Sequence, residues 1–168
     1  MYVKYAVKRF FAVMLASMVF MGVANAAKPN DADALKGVSE GRVVWDITKG
    51  DPKSLLLFLK VIEETYDDLK RQNVTPDMVF TFHGPVVKLI STAPQNLPLD
   101  DEEALEEIVA LLQRMNQRPG VRMESCSVAT RLFGIDNKTI LKGIKPVGNT
   151  FVSLIGYQKQ GYALIPIY

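Results

Sequence analysis

The sequence predicts an α/β domain, a three-layer α/β/α sandwich built around a mostly parallel five-stranded sheet. Three observations predict it. Short runs rich in β-branched and aromatic residues alternate five times with helical stretches between Arg42 and the C-terminus. No hairpin signal of the Asn-Gly kind separates any two of the strands. The chain beyond residue 26 is about 140 residues long, the size of one ordinary domain. Alternation without hairpins favours parallel strands, with the connecting helices laid on both faces.

The first 26 residues stand apart from that domain. Lys4, Lys8 and Arg9 form a basic n-region, Phe10 to Val23 is almost wholly apolar, and Ala24-Asn25-Ala26 has the small-x-small pattern of a signal-peptidase site. The apolar run is short against the ~20 residues of a bilayer span. A cleaved signal peptide at 1–26 and a periplasmic location are therefore expected, with a permanent anchor as the rival. Cleavage removes three basic residues, leaving 17 against 18 acidic ones and a net charge of −1. The pI of about 8.6 for the whole chain thus owes part of its value to the signal. No basic face or stripe of the kind that grips nucleic acid is apparent.

Residues 27–40 are polar and small, a loose leader ahead of a single domain at 41–168. Arg42 to Ile47 reads as the first strand. Asp51-Pro52 opens a helix, a capping carboxylate followed by a proline at the first helical position. Leu55, Leu59, Ile62, Tyr66 and Leu69 then recur at helical spacing as far as Asn73. Met78 to Phe82 is the second strand and runs into His83-Gly84-Pro85, a tight turn leading into a short helix at 86–90. Ser91 to Pro98 is an irregular loop. Asp100 and Asp101 start a helix with Leu105, Ile108, Leu112 and Met115 on one face, ended by Pro119-Gly120.

The stretch Val121 to Phe133, VRMESCSVATRLF, then gives a strand, the only cysteine of the chain at Cys126, and a short helix. A second short helix is expected from Asp136 to Leu141. Ile144 to Val147 carries Pro146 and so reads as an edge strand. A last helix at 151–160 and a strand at 162–167 close the chain.

In a parallel sheet, functional groups gather beyond the carboxyl ends of the strands, near a topological switch point. His83, the only histidine, follows the second strand and Cys126 follows the third, so both fall on that edge. A strand-to-helix turn offers unpaired N–H groups and a helix dipole, both of which favour a thiolate. An unpaired cysteine in an exported chain suggests either a free thiol with a purpose or an intermolecular bridge. A packed, inert cysteine is the competing reading. For His83 the alternatives are a residue that steadies a bound anion or the thiolate, and one that serves only the local turn. Trp45, Asp46 and Asn149 lie on the same edge, with Trp45 the more typical of plain core. One cysteine and one histidine without CxxC or HxxxH spacing fall short of a metal's three or four ligands. Neither GxGxxG nor GxxxxGK[ST] occurs, so no cofactor is expected.

Four segments taken together resemble the DsrE/DsrF-like (YchN-like) family of small sulfur-relay proteins. They are FHGPVVKLI, VRMESCSVAT, ILKGIKPVGN and SLIGYQKQGYALIPI, in that order between Arg42 and the C-terminus. The resemblance implies a three-layer α/β/α domain that forms homo-oligomers. It also implies a cysteine that carries sulfane sulfur as a persulfide, which by position is Cys126. His83 and Gly84 fall on the segment that borders the family's site, and a thiol- or persulfide-bearing protein is the implied partner. This chain departs from the best-known members in having an export signal, and it has no second cysteine to act as a relay.

Overall fold

The computed structural model describes residues 28–93 and 101–168. The expected signal peptide and most of the loop expected at 91–98 lie outside the described residues. Five strands, β1 (Glu40–Ile47), β2 (Thr75–Phe82), β3 (Val121–Cys126), β4 (Lys145–Val147) and β5 (Ala163–Ile167), form one sheet in the order β4-β3-β2-β1-β5. Every neighbouring pair is parallel. The connections carry α1 (Pro52–Arg71), α2 (Glu102–Asn116), α3 (Ser127–Leu132) and α4 (Thr150–Lys159). The expected fold class is the observed one, and the sheet is parallel throughout.

Strand alternation divides the sheet into two unequal faces. Trp45, Phe80, Phe82 and Met123 point into the larger core, where α1 contributes Leu55, Leu59, Ile62 and Tyr66, and α2 contributes Ile108, Leu111 and Met115. Val44 and Val79 point the other way and are covered by Leu154 of α4, with Tyr157 and Tyr162 packed alongside. Trp45 is therefore core and does not line the site. Val86, Val87 and Ile90 are likewise fully buried core residues.

Local chemistry accounts for most boundaries. Asp51 caps α1, its Oδ1 accepting from the Ser54 N–H at 2.8 Å. The second strand starts at Thr75, three residues before the expected Met78, with Pro76 opposite Gly41. Proline is tolerated there because the first residues of a strand need not donate to the ladder. The helix expected from Asp136 to Leu141 is only a 3-10 turn, Asn137–Thr139, capped by Asp136. The backbone explains the shortening: the Leu141 N–H donates to the Ile90 carbonyl rather than to a helical partner. Ahead of β1, Asp31 is tied to Gln72 at the end of α1 through its backbone N–H and its carboxylate.

The strand order decides where the site forms. Ala129 of α3, after β3, packs in the larger core, whereas α4, after β4, crosses to the smaller face and returns the chain to β5. Neighbouring strands thus send their following helices to opposite faces, which opens a crevice beyond the carboxyl ends of β3 and β4.

Candidate functional site

Cys126 ends β3 and stands in the N-cap position of α3 with extended backbone, φ −80° and ψ 114°. The first turn of α3 is pinned by its own polar side chains. Asn137 accepts from the Thr130 hydroxyl at 2.6 Å and donates to the Ser127 hydroxyl at 2.9 Å. Beside Cys126 lies a cavity of about 240 Å³ whose walls include His83, Gly84, Asn149, Leu132 and Phe151. Of the expected edge residues, Cys126, His83, Gly84 and Asn149 therefore come together in one cavity, and Trp45 and Asp46 are not in its wall. A larger cleft of about 550 Å³ sits at the opposite, amino edge of the strands, around Thr75, Pro76 and Gly120, and has no thiol or imidazole in its walls.

The thiol is held between opposing influences. Burial by itself pushes its pKa up, since a charge loses hydration there. The N–H groups of Thr150, Ala129 and Val128 and the Thr150 hydroxyl overcome that effect, and the thiol titrates below its ordinary range. No charged side chain is needed for this. The N–H that favours the thiolate most belongs to Thr150, at the start of α4, rather than to the helix that follows Cys126 directly. The N–H groups of Ala129 and Val128, in the helix that follows Cys126 directly, act in the same direction, as the strand-to-helix turn leads one to expect, and the start of α4 adds to them.

His83 is fixed by two elements. Its Nε2 lies 2.6 Å from Asp46 Oδ1 at the end of β1, with both side chains largely buried. Its ring meets Phe151 of α4 edge-on, with centroids 5.0 Å apart. The backbone N–H of His83 donates to the Ile47 carbonyl, which continues the β1–β2 ladder past the strand end. Gly84 then turns the chain at φ +65°, a left-handed conformation that a side chain would strain.

Two further residues belong to the site, one a minor candidate of the sequence and one that its pattern does not mark. Asp46 was a minor candidate, and the structure makes it the partner of His83. The local pattern by itself does not mark Thr150, and the structure seats this fully buried residue beside Cys126, whose anion its hydroxyl favours. The available signal was Gly148-Asn149-Thr150 at a strand-to-helix junction, where Asn149 caps α4 by accepting from the Phe151 N–H at 3.0 Å. Among the described residues no three of His, Cys, Asp and Glu gather as metal ligands.

A model of the DsrE/DsrF-like family matches residues 44–167, which takes in every element that builds this site. The chain belongs to the DsrE/DsrF-like family. An uncharacterised protein of Aquifex aeolicus (strain VF5) is 24% identical over 125 residues, covering 74% of this chain and 55% of that protein. The chain thus spans about half the length of this curated relative. Among solved structures, the protein of unknown function MTH1491 from Methanobacterium thermoautotrophicum superposes with a TM-score of 0.60 at 20% identity, over 76% of this chain and 99% of that one. That likeness shows the fold alone. The ychN protein from E. coli aligns with a TM-score of 0.47 at 14% identity, over 77% of this chain and 99% of that one.

Proposed function

We propose that this DsrE/DsrF-like chain is an exported, periplasmic sulfur carrier, or sulfurtransferase, in which Cys126 holds sulfane sulfur as a persulfide. One observation carries the reading. The chain's only thiol borders a small cavity and is surrounded by uncharged donors that favour its anion. The Cys126 thiolate attacks the outer sulfur of a donor R–S–SH; the donor S–S bond breaks, Cys126–S–SH forms, and R–S⁻ departs. An acceptor thiolate then attacks the outer sulfur and releases Cys126 as thiolate. Sulfur moves at constant total oxidation state, so the transfer draws on no cofactor. His83, held by Asp46, stands at the cavity wall, where its ring can steady the sulfur anion.

The partner is a thiol- or persulfide-bearing protein, and Leu132, 74% exposed at the cavity wall, gives it an apolar landing. The chain itself assembles as a homo-oligomer. Support for this comes from α4, which leaves Phe151, Val152 and Ile155 exposed along its outer face. Periplasmic placement rests on the export pattern of residues 1–26.

A second reading has one observation in its favour. Cys126 is only 4% exposed and packs with the larger core, as a structural cysteine would in a non-enzymatic binding or assembly module. Intact mass after exposure to polysulfide, beside a Cys126→Ala control, separates the two. The carrier reading expects a gain of one sulfur atom, reversed by reductant and absent from the control. A native protein that stays unmodified, with a thiol that labels only after unfolding, would sink it.

A further inference from the structure

The hydroxyl of Thr150 is one of the few buried polar atoms with no hydrogen-bond partner among the described residues. The residue is completely buried, out of reach of bulk water. An unpartnered buried hydroxyl ordinarily costs about 1–3 kcal/mol. Its position supplies a reason to keep it. Thr150 opens the ten-residue helix α4 between Asn149 and Phe151, both of which wall the Cys126 cavity, and its N–H and hydroxyl both favour the Cys126 anion.

We propose that Thr150 is a positioning residue of the Cys126 site, whose hydroxyl lacks a partner beside the neutral thiol and donates to the sulfur once it is an anion. The thiol form leaves the hydroxyl poorly satisfied, because S–H and S are weak hydrogen-bonding groups. A thiolate is a much stronger acceptor, so ionisation satisfies the donor and the charge together. The same donor then serves the thiolate regenerated when an acceptor removes the sulfur. Threonine suits the place for two reasons. Its β-branch restricts χ1, and its hydroxyl supplies a donor without adding a charge to a buried position. The other groups acting on the sulfur are the N–H groups of Val128, Ala129 and Thr150, and none of them titrates. The titratable side chain in the cavity wall is His83, which is bonded to Asp46.

This inference deepens the sulfur-carrier reading and rests on it for its purpose, but its test does not depend on sulfur transfer. The rate of Cys126 alkylation by iodoacetamide, followed against pH in the native protein, reports the thiolate fraction. Thr150→Val keeps the shape and removes the hydroxyl, whereas Thr150→Ser keeps the hydroxyl. The valine variant is expected to lose about tenfold in thiolate fraction at pH values below both midpoints, the effect of one charge-assisted hydrogen bond. The serine variant is expected to follow the parent. Should valine not pack, Thr150→Ala gives the same reading in a smaller residue that favours the helix. A parental profile in the valine or alanine variant would overturn the proposal, as would a serine variant that behaves like valine. Polysulfide loading of the parent is scored separately. An unshifted profile with normal loading removes Thr150 from the site and leaves the carrier reading standing. A shifted profile with no loading removes the carrier function and leaves Thr150 as the residue that ionises Cys126.

Discussion

Asp46 and His83 show how much a single side chain in this site depends on one partner. Their contact of 2.6 Å joins the ends of β1 and β2, and neither group has much access to water. Removing the carboxylate leaves a mostly buried imidazole nitrogen without its partner, which typically costs about 1–3 kcal/mol. Asp46→Ala should therefore lower the urea unfolding midpoint, and Asp46→Asn, which can still bond the ring, should lower it less. An alanine variant as stable as the parent would mean that the pair contributes nothing to the fold. Cys126 differs in kind, because nothing of opposite charge holds it. Its depressed pKa comes from fixed backbone dipoles of α3 and α4 and from one hydroxyl, that of Thr150 at the start of α4.

The element that does most to build the site is therefore α4, and its seat on the sheet is partly polar. Leu154 packs against Val44 and Val79, while the Tyr157 hydroxyl donates to Glu124 Oε1 at 2.8 Å. Nearby, Arg122 reaches both Asp77 and the Tyr162 hydroxyl. Burial and then the Glu124 carboxylate raise the Tyr157 pKa from 10.0 to about 12. The sign follows directly: folding favours the neutral phenol, so this contribution is whole below pH 10 and is lost as pH rises towards about 12. The Tyr162 pKa is raised as well, so it adds in the same direction. Stability measured by urea unfolding should fall across that alkaline window, and Tyr157→Phe should fall less steeply. Equal slopes would show that the Tyr157–Glu124 contact does not hold α4 down. The site should feel that loosening, since Thr150 and Phe151 belong to the same helix.

Across the whole molecule, the two faces of the sheet are finished to different degrees. The face under α1 and α2 is a full core, whereas α4 alone covers the other and turns Phe151, Val152 and Ile155 outward. If a second copy covers that helix, as proposed, the paired substitutions Phe151→Asp and Ile155→Asp should lower the sedimentation mass without unfolding the chain. An unchanged mass, or a parent already monomeric at micromolar concentration, would remove α4 from any interface. The fold at this scale was legible in the sequence because helical and strand periodicities are local and survive without a partner. Asp51-Pro52, the apolar repeat from Leu55, and Pro146 in an edge strand each announced their roles. The same locality explains the helices expected at 86–90 and 136–141, which are 3-10 turns at Gly84–Lys88 and Asn137–Thr139, the second cut short where a backbone bond from Leu141 to Ile90 replaced a helical one. Parallel strands put all their carboxyl ends on one edge, so the sequence by itself determined that His83 and Cys126 share it. Only the tertiary structure decided which neighbours they meet there. Burying two unequal apolar faces sets the order β4-β3-β2-β1-β5, a non-local outcome. That order puts Asp46 against His83 and the start of α4 against Cys126. Thr150 enters the site for that reason, from 24 residues further along a chain whose local pattern says nothing of the meeting.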